Sequence, residues 1–224
     1  MIRSAMSMIE LVFTIVIMGI AVMSLPLLLI QVQRNDSFSM QQEAILATKS
    51  RMGDILTYEW DNNSYNANDQ RSYVLDTLSD PELTRVTGTT HRVGYVNAES
   101  RRKLFDVTTN PTAVTALGND GVWNDIDDFS GQPPSTIKLL FESASNLDYV
   151  FDLNLTTTVT YAADTANYSA STLGTFVLNP DNNASITNIK TISVTVAGSD
   201  QNITLRSFSC NIGEAIPLPS RPYK

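Results

Sequence analysis

A run of twenty uncharged, mostly apolar residues from Leu11 to Ile30 constrains this 224-residue chain more than any other feature. At about 1.5 Å per residue, a helix of that length spans the roughly 30 Å hydrocarbon core of a bilayer. The run therefore predicts a single membrane-spanning helix. Glu10 stands directly before it, where a carboxylate is costly, and is a candidate functional residue. A plain uncleaved membrane anchor is the alternative interpretation.

The residues around Glu10 resemble the N-terminal segment of type IV prepilins and type II secretion pseudopilins. The resemblance lies in the stretch AMSMIELVFTIVIMGI, from Ala5 to Ile20. In that family a short basic leader is removed before the apolar segment, the new N-terminus is methylated, and the fifth mature residue is a glutamate. The resemblance therefore implies a leader of residues 1–5, cleavage between Ala5 and Met6, methylation of Met6, and a role for Glu10 in assembly.

The same resemblance implies a structural minor subunit of a type IV pilus or type II secretion filament. The implied partners are prepilin peptidase and other pilin or pseudopilin subunits. The chain would be a single-pass protein of the inner membrane with its C-terminal domain in the periplasm, and part of a surface filament after assembly. Two alternatives stay open: a periplasmic binding module that is anchored in the inner membrane and does not polymerise, and a minor pilin for DNA uptake.

The hydrophobic pattern predicts an α+β fold in which the N-terminal helix continues beyond the membrane span. We expect a leader at 1–5, a long helix at 6–60 with a transmembrane part at about 11–30, and a β-rich periplasmic domain at 61–224. The arrangement is pilin-like, with the helix packed on a mainly antiparallel sheet. A short stalk helix followed by a separate helix is the alternative. The apolar stripe expected to face the sheet comprises Phe38, Ile45, Met52, Ile55 and Leu56.

Alternating apolar and polar residues predict strands in the C-terminal part of the chain. Residues 149–161 and 192–196 alternate with period two, as expected of half-buried strands. The apolar residues of 203–205 and of 208–212 fall on opposite parities. That change of parity predicts a β-bulge near residues 206–207.

Composition excludes several classes of protein. The chain carries 15 basic and 23 acidic residues, a net charge of −8, which argues against a dedicated nucleic-acid binder. Its one cysteine, Cys210, cannot form an internal disulfide, and its one histidine, His91, cannot build a multi-histidine zinc site. The sequence lacks a glycine-rich phosphate loop and a nucleophile elbow. We therefore predict neither an enzyme nor a resident cofactor, apart from the calcium considered next.

An acidic segment at residues 119–128 is the one candidate metal site in the sequence. Its density of carboxylate and amide oxygens suits a hard cation such as calcium, and some pseudopilins carry a calcium site. The spacing is not that of an EF-hand, and a solvated acidic loop is the alternative interpretation. The segment also weakly resembles an Asp-rich stretch in minor pilins of the mannose-sensitive haemagglutinin type. The candidate ligands are Asp120, Asn124, Asp125, Asp127 and Asp128.

A basic stretch and three possible glycosylation sites each have a simpler interpretation. The stretch from Arg85 to Asp106 is locally basic, which is compatible with DNA binding but typical of solvated faces and subunit contacts. Three sites share the pattern Asp-x-Asn-x-Ser/Thr, an extended form of the glycosylation acceptor. A chain rich in Ser, Thr, Asn and Asp produces such matches by chance. The candidate glycosylation sites are Asn154, Asn183 and Asn202.

Overall fold

The computed structural model describes residues 7–77, 83–92, 103–143, 146–168, 170, 172, 174, 176–180, 185–198 and 201–214. The chain divides into two compact units, residues 1–44 and residues 45–224. The layout is α+β, with one long apolar N-terminal helix and a C-terminal antiparallel sheet. The leader and both residues of the predicted cleavage site, Ala5 and Met6, lie outside the described residues.

Helix α1 spans Met8–Ile55 and includes Pro26. It ends five residues before the predicted boundary at residue 60. The N–H of Thr57 bonds to the carbonyl of Asp54 (3.0 Å), and that of Tyr58 bonds to the carbonyl of Ile55 (3.1 Å), so the last turn tightens to i→i+3 bonds. The hydroxyl of Thr57 also donates to the carbonyl of Asp54 (2.6 Å). These bonds replace the α-helical pattern and end the helix.

The buried face of α1 differs from the predicted stripe. In the C-terminal unit this face is formed by Ala47, Thr48, Met52 and Ile55, which recur at helical spacing. The other three predicted members of the stripe are exposed: Phe38 and Ile45 on the helix and Leu56 directly after its end. The prediction followed the large apolar side chains, whereas the buried face also includes the smaller Ala47 and Thr48.

The strands are β1 Tyr65–Asn66, β2 Arg71–Ser72, β3 Ser135–Ser143, β4 Asn146–Asp164, β5 Leu178–Asn179, β6 Ile189–Gly198 and β7 Gln201–Cys210. The sheet has the strand order β3-β4-β6-β7, with β5 paired to β4 and a separate two-stranded ladder of β1 and β2. All of these pairs are antiparallel. Short 3₁₀ helices at Asn62–Ser64, Val114–Ala116 and Asp127–Phe129 interrupt the segment that precedes β3.

The predicted alternation of strands β4 and β6 is confirmed. Every second residue of β4 from Leu153 to Tyr161 is buried, and in β6 the side chains of Ile192, Val194 and Val196 are fully buried. The predicted bulge at 206–207 is wrong, because the β6–β7 register is continuous from Ile189↔Cys210 to Gly198↔Gln201. The apolar residues Phe208 and Ile212 are instead exposed. A register shift does occur, but between Leu139 and Leu140 in the β3–β4 pair.

Candidate functional site

The first candidate feature is the beginning of α1, where Glu10 lies in the first turn. Its side chain is exposed. Its N–H bonds to the carbonyl of Ser7 (3.0 Å), and its own carbonyl accepts a hydrogen bond from the hydroxyl of Thr14 (2.7 Å). The helix is long and apolar enough to cross a membrane, and none of its most apolar stretch is buried by the protein. An exposed carboxylate therefore lies at the beginning of a long exposed apolar surface.

The second candidate feature is a lysine in the core of the C-terminal unit. Lys190 follows the first residue of β6, and its side chain is 0% exposed. Its Nζ donates to the carbonyl of Trp60 (2.8 Å), to Oδ2 of Asp61 (2.9 Å) and to Oδ1 of Asp127. All three donors of the ammonium group therefore have oxygen partners, which satisfies a charge that would otherwise be strongly destabilising in the core.

A third carboxyl, that of Asp125, completes this group, which we call the Lys190 cluster (Asp61, Asp125, Asp127 and Lys190). The three carboxyls are buried and offer oxygens within 4.8 Å of one another. Two aromatic rings close the same space, since Nζ lies 4.5 Å from the ring of Trp60 and 5.6 Å from that of Tyr161. Such rings exclude water while attracting the cation through their electron-rich faces.

The local backbone holds each carboxyl in place. Asp61 caps the 3₁₀ helix Asn62–Ser64, and its two oxygens accept from the N–H groups of Asn63 (3.1 Å) and Thr112 (2.9 Å). Asp125 accepts at Oδ2 from the N–H of Asn62 (2.7 Å). These bonds explain how the two turn-forming stretches around Asp61 and Asp125, both rich in Asp and Asn, can bury their acids instead of exposing them.

Burial changes the protonation of the cluster. Three carboxylates around one ammonium would leave a net negative charge in the core, so at least one proton is favoured there. The pKa of Asp125 is raised to about 7, first by burial and then by the neighbouring charge of Asp127, while Lys190 opposes the shift. The pKa of Asp127 is also raised by burial, again against the effect of Lys190. Burial likewise raises the pKa of Tyr161, whose hydroxyl donates to the carbonyl of Thr112 (2.6 Å).

The candidate calcium ligands divide into two groups in the structure. Asp125 and Asp127 face Lys190, whose ammonium supplies a positive charge where the prediction expected a cation. Asp128 instead accepts at Oδ2 from the N–H groups of Asn124 (2.8 Å) and Asp125 (3.0 Å), and Asp120 accepts from the N–H of Val122 (3.0 Å). A cavity of about 340 Å³ is lined by all four aspartates but not by Asn124. Calcium binding stays a prediction.

Basic residues of the predicted patch make contacts within the domain. Arg85 pairs with Asp76 (2.8 Å) and also donates to backbone carbonyls, including that of Phe105 (2.7 Å). Arg92 is buried and donates to the carbonyl of Asn211 (2.7 Å). Within the described part of 85–106, these two guanidinium groups therefore serve internal packing, which leaves less charge for a DNA phosphate.

The structure describes two of the three candidate glycosylation sites. Asn154 is exposed on β4, and its side-chain oxygen accepts a hydrogen bond from the hydroxyl of Thr136 (2.9 Å). Asn202 is exposed on β7, where it pairs with Ala197 of β6. Asn183 lies outside the described residues. Modification of these sites stays a prediction.

Lys190 and Asp61 are not among the predicted site residues, although β6 contains a signal for the lysine. Lys190 has the same parity as Ile192, Val194 and Val196, so the period of two places a charge on the face that is otherwise apolar and buried. A lysine at such a position requires an acidic partner inside the domain. The sequence does not say which acid, because Asp61 is 129 residues away and Asp127 is 63 residues away.

Comparison of the chain with protein-family models, with curated proteins and with solved structures finds no match.

Proposed function

We propose that this protein is a minor pilin or pseudopilin, a structural subunit of a type IV pilus or type II secretion filament that is processed by prepilin peptidase. One observation carries the proposal: Glu10 lies at the beginning of a helix whose large apolar side chains are exposed from Met8 to Ile30. A bilayer would cover that surface but gives no role to the acid. A core of packed helices from several subunits would cover the surface and also offer the acid a partner.

The partner in this proposal is the N-terminal amine of a neighbouring subunit. Cleavage between Ala5 and Met6 would create a positive charge at Met6, four residues before Glu10. In an apolar filament core an unpaired charge costs about 3–5 kcal/mol, so a subunit that places its carboxylate beside the neighbouring amine is strongly favoured over one in another register. Before assembly, the chain would be anchored in the inner membrane with its C-terminal domain, residues 61–224, in the periplasm.

The test replaces the charge while leaving the apolar helix intact. We expect Glu10→Leu to keep membrane localisation and cleavage, and to lower the recovery of partner pilins in co-purification by at least about tenfold, since about 1.4 kcal/mol already corresponds to that factor. Glu10→Gln should behave like Glu10→Leu, because the charge rather than the shape makes the pair. The matched control is Asp36→Asn, which removes an exposed acid of the same helix beyond the apolar run.

Undiminished recovery of partner subunits with Glu10→Leu would contradict the charge-pairing role. The mature N-terminus separates the proposal from the membrane-anchored binding module. A filament subunit should begin at N-methylated Met6, which N-terminal peptide mass spectrometry detects directly. A chain that retains Met1 in its native membrane would support the uncleaved anchor instead.

A further inference from the structure

We propose that Lys190 and Asp127 condense inside the folded C-terminal unit to form an intramolecular isopeptide bond, with Asp125 as the catalytic residue that transfers the protons. The bond would join strand β6 to the 3₁₀ helix Asp127–Phe129 that precedes β3. This inference concerns the C-terminal unit alone and does not depend on the proposed function.

Proximity is the first observation that supports the bond. Nζ of Lys190 is hydrogen-bonded to Oδ1 of Asp127, so the amine is held beside the carboxyl carbon that it would attack. Both side chains are almost fully buried, at 0% and 3% exposure, and have no alternative partner in water. Holding two reacting groups in such a position removes most of the entropic barrier to their reaction.

The surroundings of the pair are the second observation. An amine attacks a carboxyl group only when the amine is neutral and the carboxyl carbon is not shielded by a full negative charge, so the step needs a neighbouring group that can pass protons. The buried carboxyl of Asp125 has an oxygen within 4.8 Å of the carboxyl oxygens of Asp127 and Asp61. The rings of Trp60 and Tyr161 lie 4.5 Å and 5.6 Å from Nζ of Lys190 and shield it from water. Asp125 is therefore placed to pass protons between the two reacting groups.

The step balances without an oxidant or another reactant. The ammonium of Lys190 first passes one proton to the carboxylate of Asp127, and the lone pair of Nζ then forms a bond to Cγ of Asp127. Asp125, which enters the step protonated, gives its proton to the oxygen that already holds the lysine proton and accepts one from Nζ, so it is regenerated. The C–O bond breaks with its electron pair on that oxygen, which leaves as water. Over the whole step the amide nitrogen keeps one of the three ammonium protons, and the equivalent of the other two leaves in that water.

Asp127 is the reacting carboxyl rather than Asp61 for a geometric reason. Both oxygens of Asp61 accept hydrogen bonds from backbone N–H groups, those of Asn63 and Thr112, in addition to the bond from Lys190, so its oxygens are already occupied. Asp127 has the carboxyl of Asp125 as its hydrogen-bonded neighbour. The cavity of about 340 Å³, which Asp125 and Asp127 both line, gives the departing water a route away from the bond.

The experiment uses the full-length protein purified in detergent. After tryptic digestion, the peptide that contains Asp127 should be joined to the one that contains Lys190, with a combined mass lower by one water molecule. Trypsin should fail to cut after Lys190, because its side chain is an amide. We expect the joined peptide in wild type and its loss in Asp125→Asn, which keeps the size of the side chain but not its acid. Asp120→Asn, on the same loop, is the matched control and should keep the bond.

A wild-type protein whose Lys190 is cut by trypsin and whose peptides keep their full masses would overturn the proposal. A bond between Lys190 and Asp61 would overturn the choice of Asp127. A complete cross-link in Asp125→Asn would exclude Asp125 as the proton-transferring residue. The wild-type measurement needs no variant to fold, so the presence of the bond and the identity of its carboxyl partner can be read directly.

Discussion

In the first turns of α1 the large apolar side chains are exposed, with Phe13 at 62% and Ile17 at 64%, whereas in β6 the side chains of Ile192 and Val194 are fully buried. The acids of the two regions differ in the same way as their apolar side chains. Glu10 is exposed at the beginning of the apolar helix, while Asp61 in the C-terminal unit is buried against Lys190.

This difference shows which region depends on its surroundings. The C-terminal unit buries the apolar faces of β4 and β6 and pairs Lys190 with acids of its own. The N-terminal region has a surface that water does not tolerate at this extent, and its stability therefore depends on lipid or on other helices. A change in the buried cluster should act on folding, and a change in the apolar helix should act on localisation or assembly.

Removing the lysine of the core should have the largest effect. Lys190→Met keeps the apolar stem but leaves Asp61 and Asp127 without the Nζ atom that both contact, and we expect a loss of about 3–5 kcal/mol in the free energy of unfolding. The matched control is Lys49→Met, at an exposed position of the helix, with an effect of about 0.5 kcal/mol or less. Urea unfolding in detergent, followed by tryptophan fluorescence, measures both. Equal stabilities would mean that the buried cluster contributes little to folding.

The pH dependence of the free energy of unfolding should reveal the raised pKa of Asp125. Below about pH 4 both folded and unfolded chains hold its proton. Between that pH and its folded pKa of about 7, the unfolded chain loses the proton and the folded chain keeps it, so this group makes stability fall as pH rises. The expected size is a few kcal/mol across this window. Asp125→Asn should remove that contribution, and the difference between the unfolding curves of wild type and variant isolates it. A constant difference from pH 4 to pH 7 would contradict the raised pKa.

A charge in the middle of the apolar helix should affect membrane binding and leave the C-terminal unit unchanged. Ile17→Lys should lower the membrane-bound fraction, since a lysine at the centre of a spanning helix costs about 2.5–3.5 kcal/mol. The thermal unfolding of the C-terminal unit should not change. Phe38→Lys, exposed on the same helix but beyond the apolar run, is the control and should stay with the membrane. Flotation of membranes from cells that express each variant provides the measurement.

The pattern of residues predicted the elements of the fold better than their faces and ends. Strand β4 was predictable because alternation is a local property of the chain. The buried face of α1 was not, because Phe38 and Ile45 have the spacing of a core face yet lie on the exposed side. The bulge predicted in β7 is wrong for the same reason. Phe208 is apolar but exposed, so the alternation of apolar residues did not show which side of the strand faces the core.

The long apolar helix, the acid at its beginning and the period-two strands can be predicted from local sequence, because each of these depends on neighbours within a few residues. The contacts of Lys190 with Asp61 and Asp127 arise from the tertiary fold instead. Those contacts join positions 129 and 63 residues apart, and no local period encodes which distant acid a buried lysine will reach. The sheet brings them together because burying the apolar face of β6 also buries the lysine, and a buried ammonium group is stable only beside carboxylates.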